Sequence, residues 1–394
     1  MAESSELRIG IAGPISLDLL DYPRGRPSNL PEGYPAPIIA HFVNGLLKRG
    51  HRIAVFTTSK DLEKPRVFDQ GQLIAAVSPR YRPRSALSFF RAERRWLNGL
   101  MAEYRCDVIW AMWSYEFALA ALDSGLPTVV HYHDHAWTIL RNNTDAYRFL
   151  RWLLNARVTR RAKNRVVNSE YLKEALGRHG RGACVIPNFL PVDPALRELP
   201  VAERASFIVT ISNGFAGCKN VRRALEAFQG VREQGLCDEY RLIGNQMGPG
   251  EEAERYAVAH GVAGGVKFVG AVSYEKALAQ IAEARLLVHP ALEESFGMTI
   301  LEAMRAGTPV VAGRASGNVP HLLDMGRCGF LCNICDPRDI EAAVTEAFRQ
   351  GADAQAKAEA AKARFAQYYN EDRVMERFER YCAHVLDPSL SNTI

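Results

Sequence analysis

Leu286-Leu287-Val288-His289-Pro290-Ala291-Leu292-Glu293-Glu294-Ser295-Phe296-Gly297-Met298-Thr299-Ile300-Leu301-Glu302-Ala303-Met304 joins an apolar strand end, a polar turn and the start of a helix. The strand is read over 286–288, the turn at Gly297, and the helix from near Thr299. In an open parallel sheet ligands sit outside the carboxyl ends of strands, where a helix N-terminus offers N–H groups to an anion. Gly297 has no Cβ, so backbone and anion can approach closely. Gly297, Met298 and Thr299 are therefore the candidate phosphate seat. Glu294 precedes the turn and Glu302 follows eight positions later. Carboxylates beside a phosphate repel it, and they accept hydrogen bonds from sugar hydroxyls instead. The pairing points to a nucleotide sugar.

The run continues as Ala303-Met304-Arg305-Ala306-Gly307-Thr308-Pro309-Val310-Val311. Together with the two acids it resembles the signature of the family 4 retaining glycosyltransferases, which have the GT-B fold. The resemblance implies that Glu294 contacts the donor sugar, Glu302 the ribose, and the intervening backbone N–H groups the diphosphate, with no metal required. Read from the residues alone, the same stretch is also compatible with a strand, a loop and an amphipathic helix carrying two solvated acids.

At 394 residues, nearly half of them apolar, the chain suits two domains of ordinary size. Residues 1–7 show no basic n-region or apolar h-region, and no later apolar run reaches the length of a membrane span, so a cytoplasmic protein is expected. Residues 1–200 hold 28 Lys and Arg against 19 Asp and Glu, and the remainder 21 against 25. The basic half suggests an acidic partner. Arg80, Arg82, Arg84, Arg91, Arg94 and Arg95 cluster around Phe89, Phe90 and Trp96. This group can rest on an anionic membrane, hold a phosphorylated acceptor, or simply form a solvated helix face. Nothing points to a nucleic-acid partner. Structural disulfides are not expected among the eight cysteines. Cys328, Cys332 and Cys335 have the spacing of an iron-sulfur motif, but the segment reads as a strand, which favours buried thiols.

Taken in order, residues 7–12 and 53–57 read as buried parallel strands flanking a long Pro- and Gly-rich loop and a helix over 38–49. A loop of this length inside a domain is usually functional. The resemblance implies a Gly-Gly pair here against the donor phosphates. Gly33 takes the first place, but Tyr34 takes the second. Further strands fall at 108–111 and 128–131, the latter leading into His131-Tyr132-His133-Asp134-His135. Three alternate histidines suit a metal only if the strand continues past His131. The resemblance instead implies that His133 contacts the transferred sugar; Asp134, next in sequence, is read as orienting the ring. A structural histidine is the third reading. Phe189 stands where the family has a Gly after Pro187-Asn188. Pro191, Pro194 and Pro200 mark a linker.

The second half restarts with a strand at 207–211, a turn containing Gly214, Gly217 and Lys219, and a helix from Val221. Glycines and a lysine beside a helix start favour an anion. The family places an Arg where Gly214 stands, which leaves Lys219 as the donor-binding cation. Strands at 241–244 and 266–270 follow. The expected domains are 1–188 on the acceptor side and 201–367 on the nucleotide-sugar side, with a closing helix over 368–387 that crosses back to the first.

The fold class expected is α/β, two doubly wound Rossmann-like domains of the GT-B type facing a central cleft. The resemblance implies a retaining transfer of a sugar from a nucleoside diphosphate sugar, the co-substrate, to a glycan, lipid-linked or small-molecule acceptor, with no resident cofactor. No residue is an evident covalent nucleophile, so a front-face route is expected. A nucleotide-sugar epimerase of the same fold and a non-catalytic nucleotide-sugar-binding protein are the alternatives. A nicotinamide oxidoreductase is disfavoured, because Gly10 and Gly13 do not form Gly-x-Gly-x-x-Gly after the first strand.

Overall fold

Short apolar runs alternating with helices build the first sheet. Its strands are β1 (Arg8–Ala12), β2 (Arg52–Ser59), β3 (Arg66–Asp69), β4 (Leu73–Pro79), β5 (Val108–Met112), β6 (Thr128–Tyr132), β7 (Asn164–Val167) and β8 (Cys184–Val185). The computed structural model describes residues 6–80, 85–191 and 199–389. The strand order is β3-β4-β2-β1-β5-β6-β7-β8, parallel throughout except for the antiparallel β3 and β4 pair. Successive side chains of a strand point to opposite faces. Ile9, Ile11, Ile53, Val55, Val108 and Trp110 enter one core and Ala12, Ala54, Phe56, Ile109 and Ala111 the other. Both faces are thus covered by helices, as a parallel sheet requires.

The helix Pro37–Lys48 opens with Pro at its first position and is followed by Gly50 at φ +90°, the usual start and stop signals. It packs beside the helix Glu371–Leu386, where an added Cβ on Gly45 would meet Met375 Sδ at 2.8 Å. Phe378 of the latter helix stacks on Trp110 with ring centroids 3.6 Å apart. The closing helix begins at Glu371; Tyr368 instead ends the preceding helix, Gly351–Tyr368. The chain accordingly forms two compact units, Met1–Pro191 with Glu371–Ile394, and Val192–Asn370. Pro194 of the expected linker lies outside the described residues.

The second unit has one six-stranded parallel sheet of β9 (Ala205–Ile211), β10 (Tyr240–Ile243), β11 (Val266–Gly270), β12 (Ala284–His289), β13 (Val310–Gly313) and β14 (Phe330–Cys332). The order is β11-β10-β9-β12-β13-β14. All eight cysteines are free; Cys328 and Cys332 are buried and Cys335 is exposed. β14 starts only at Phe330, so Cys328 precedes it.

The described arginines of this group in the first unit do not form one face. Arg80 lies over the Tyr34 ring at 4.4 Å, and Arg94 donates to Asp123 Oδ2 and to the Phe89 carbonyl, both at 3.0 Å. Arg91 and Arg95 are exposed on the helix Arg91–Glu103, while Arg82 and Arg84 lie outside the described residues. Among the described residues no helix is long and apolar enough to cross a membrane.

Candidate functional site

The second sheet reverses direction between β9 and β12: from β9 the chain steps outward through β10 and β11, then returns to the other side of β9. Loops leaving two neighbouring strands on either side of such a switch point part from each other and leave a crevice at the sheet's carboxyl edge. Lys219 follows β9 and Glu294 follows β12. Although 75 positions apart, they meet there, Lys219 Nζ donating to Glu294 Oε1 at 3.0 Å.

Three turns fix this contact. The Asn220 backbone is left-handed (φ +55°), and its side-chain amide donates to the carbonyls of Pro290 at 3.1 Å and Ile334 at 2.8 Å. The Leu292 N–H donates to the Cys218 carbonyl at 2.8 Å. From the other side, the Asn318 N–H donates to the Glu294 carbonyl at 2.8 Å and its side chain to the Phe296 carbonyl at 3.0 Å. Gly317 admits this approach, since a Cβ there would sit 2.3 Å from the Glu294 carbonyl oxygen.

The helix Met298–Ala306 starts from Gly297 at φ +101°, a conformation that glycine adopts without strain. No side chain caps this end and no acid lies in its first turn, so the positive end of the helix is directed at the turn. Glu302, one helical turn further on, is buried. Burial raises its pKa to about 7, opposed by a hydrogen bond with Tyr274. Glu294 behaves in the opposite way. Burial would raise it, but His289 and Lys219 together outweigh that and bring it down to about 2. His289 ends β12 and holds Nε2 3.4 Å from Glu294 Oε1. Two neighbouring carboxyls are thus set for different states, one ionised across the working pH range and one titrating near neutrality.

A carboxyl raised in the fold holds its proton more tightly than in the unfolded chain, so Glu302 withdraws stability as pH rises from about 4.5 to about 7. Ribose hydroxyls donating to the carboxylate would favour the charged form and expel the proton. We expect nucleotide binding at pH 7 to release up to about half a proton more from the native protein than from Glu302→Gln. Calorimetric titration in two buffers of different ionisation heat checks this; equal release from both would count against a ribose contact.

The first sheet has its own switch point between β1 and β5. A cavity of about 530 Å³ opens there, lined among others by Tyr34, Arg80, Trp113, Glu116, Tyr147 and Arg151. Trp113 has φ +88°, a strained backbone for a bulky residue. The Arg151 guanidinium lies 3.6 Å over the Tyr115 ring and 3.4 Å from Glu116 Oε2.

His133 follows β6. Burial lowers its pKa to about 4, so the imidazole is neutral, and its Nε2 is buried with no hydrogen bond among the described residues. Asp134 does not orient it: Oδ1 accepts from the Tyr115 hydroxyl at 2.7 Å instead. His131 and His133 keep their rings together, centroids 4.3 Å apart, but among the described residues no three histidines, cysteines or acids group as metal ligands. His131 packs edge-on to Phe42 and Trp110 in the core, and His135 Nδ1 meets Thr138 Oγ1 at 2.8 Å. Gly33 faces its own loop, where a Cβ would lie 2.6 Å from the Ile15 carbonyl oxygen. The departures from the family pattern have local uses. Tyr34 pairs its hydroxyl with Thr58 Oγ1 at 2.9 Å beneath Arg80. Phe189 is buried against Phe42 with ring centroids 5.0 Å apart, and Gly214 sits at φ +121°.

Of the residues expected at the donor site, Lys219, Glu294, Gly297, Met298, Thr299 and Glu302 lie in the second unit on the loops and helix just described. Sequence reasoning missed His289, Trp113, Glu116 and Arg151. Only His289 carried a local signal, a polar residue closing an apolar strand.

Two doubly wound α/β units, each with a crevice at its switch point, define a class of folds that take ligands beyond the carboxyl ends of their strands. Comparison with known proteins narrows this. The family described as glycosyl transferases group 1 matches residues 196–364, and glycosyltransferase family 4 matches 38–194. A D-inositol 3-phosphate glycosyltransferase of Geodermatophilus obscurus is 30% identical over 209 residues, 48% of this chain and 45% of that protein. One from Streptomyces scabiei is 36% identical over 100 residues, 24% of this chain and 22% of its own. These alignments span less than half the length of either relative. Among solved structures, sucrose-phosphate synthase from Thermosynechococcus elongatus has a TM-score of 0.72 at 17% identity, covering 97% of this chain and 100% of that one. Anabaena HepE in complex with UDP and glucose gives 0.65 at 17% identity, covering 96% and 100%. At such identities the likeness shows the fold, that of GT-B glycosyltransferases. The chain belongs to the family 4 glycosyltransferases.

Proposed function

We propose that the protein transfers a sugar from a nucleoside diphosphate sugar, with retention, to a small phosphorylated hydroxyl acceptor. The observation that carries this is the Lys219–Glu294 pair beside the Gly297 helix start. Lys219 and the helix N–H groups support the diphosphate, Glu294 accepts from the sugar hydroxyls, and Glu302 accepts from the ribose. The bond from the sugar's anomeric carbon to the phosphate oxygen breaks. The acceptor oxygen bonds to that carbon on the same face, and its proton passes to the leaving phosphate. Charge developing on that leaving group is the largest quantity a fixed cation can stabilise. No resident cofactor enters this scheme.

The acceptor class rests on the cavity of the first unit. Aromatic faces at Trp113, Tyr34 and Tyr147 suit a sugar or polyol ring, and Arg80 and Arg151 suit a phosphate. The curated relatives bear the name D-inositol 3-phosphate glycosyltransferase, which supports the same chemistry. A seat on an anionic membrane is less favoured, because Arg80 and Arg94 are engaged inward. We expect Arg151→Ala to raise the acceptor KM roughly 10- to 100-fold, the loss of one charge-assisted contact, with the donor KM unchanged. Arg151→Lys should recover only part of it. Steady-state kinetics in both substrates checks this.

The functional test is incubation of purified protein with a panel of nucleoside diphosphate sugars, with and without polyol and sugar phosphates, in the presence of a chelator. Acceptor-dependent release of nucleoside diphosphate and a product of unchanged anomeric configuration are expected. Donor isomerised without acceptor would instead identify an epimerase, and binding without turnover a binding protein.

A further inference from the structure

We propose that His289 is the positioning residue that holds the Glu294 carboxylate once Lys219 turns to the diphosphate, an inference that rests on the nucleotide-sugar reading above. Glu294 Oε1 lies between two nitrogens, Lys219 Nζ at 3.0 Å and His289 Nε2 at 3.4 Å. The two partners differ in freedom. Lys219 is one-third exposed on a four-carbon stem and can swing toward a phosphate without moving the backbone. The His289 side chain is only 7% exposed, and its backbone is the last residue of β12, in register with Ala312 of β13. It cannot follow a ligand.

The same carboxylate cannot serve two tasks with one cation. When Lys219 moves to an incoming diphosphate, a largely buried carboxylate loses its nearest charge and would tend to take up a proton or rotate away. The backbone hydrogen bonds from Leu292 and Asn318 fix the loop and leave the carboxylate itself unheld. His289 Nε2 is fully buried, and although close to Glu294 it has no aligned hydrogen bond in the ligand-free protein. A buried ring nitrogen in that state favours any rotation that supplies a partner. A small turn of Glu294 off Lys219 and onto His289 supplies one. The pair then holds the carboxylate ionised and directed at the sugar while the lysine holds the phosphate.

The test compares His289→Leu, which fills the space and cannot donate, with His289→Gln, whose amide can, each alone and combined with Glu294→Ala. Turnover of the donor found by screening, UDP binding and thermal unfolding are measured for each. His289→Leu should lower kcat roughly 10- to 100-fold, the range for a hydrogen bond to a charged group. UDP affinity should stay within about twofold, since the ring acts on the sugar end of the donor. His289→Gln should recover most of kcat, and His289→Leu should add no loss on top of Glu294→Ala. Equal losses in the Leu and Gln variants, accompanied by lower melting temperature and weaker UDP binding, would mean a packing role and overturn the proposal. So would unchanged kcat in His289→Leu, or losses that add to those of Glu294→Ala. A native protein that turns over no nucleotide sugar overturns the parent reading and this inference with it, and that outcome is visible before any variant is made.

Discussion

Lys219→Ala should lower turnover about 100- to 1,000-fold, the scale seen when one fixed group facing a developing oxyanion is removed. The lysine is the cation that the β9 turn places at the switch point of the second sheet, and Gly214 occupies the place where a second would stand in the family pattern. The stability cost should be modest, about 1–2 kcal/mol, because the lysine is one-third exposed and His289 stays beside the largely buried carboxylate. A large kinetic loss with only a modest fall in melting temperature is therefore the expected signature. Removing the lysine also takes away one of the two groups that hold Glu294 at about 2, so its carboxyl should titrate higher. Single-turnover kinetics and thermal unfolding on the same preparation decide the matter.

Glu294→Ala should lower kcat by at least about 100-fold, the cost of losing a charged contact formed with the reacting sugar together with the alignment it provides. Its effect on nucleotide affinity should run the other way. The carboxylate lies beside the proposed phosphate seat and repels a diphosphate, and it occupies the ammonium that the diphosphate requires. Removing it should leave UDP binding unchanged or tighter. A substitution that abolished both turnover and binding would show instead that Glu294 supports the loop. The acid has no bearing on activity near neutrality through its own titration. A depressed carboxyl contributes stability above its unfolded value of about 4.5 and loses it only as pH falls toward about 2. Of the two acids, Glu302, raised by burial to about 7, is the one that titrates around neutrality.

The strand, the glycine bend and the helix of residues 286–304 could be read directly, because each depends on neighbours in sequence: an apolar run, a residue without Cβ, and a following amphipathic segment. The helix began at Met298, one position before the expected start. What joins Lys219 to Glu294 could not be read in this way. Their contact depends on β9 lying beside β12, and strand order is a property of the whole sheet. The edge hairpin of β3 and β4 went unpredicted for a related reason. Arg66-Val67-Phe68-Asp69 is short and half exposed, with too few apolar positions to show a period of two. Arg151 is one of several arginines on the helix Ala146–Arg161, and nothing local sets it apart. The fold lays it over Tyr115 in the lining of a cavity. Asp134 was assigned to His133 because they are adjacent, but adjacent residues point apart, and the hydroxyl of Tyr115 took it.

The central claim is that acids flanking a glycine bend take the hydroxyls of an activated sugar while amide hydrogens take its diphosphate. A crystal structure of the protein with a bound nucleoside diphosphate sugar tests this most directly. The account predicts phosphate oxygens within hydrogen-bond distance of the N–H groups at Met298 and Thr299 and of Lys219 Nζ, ribose hydroxyls on Glu302, and sugar hydroxyls on Glu294, now turned toward His289. A nucleotide bound elsewhere, with Glu294 still paired to Lys219 and Glu302 making no contact with it, would contradict the account.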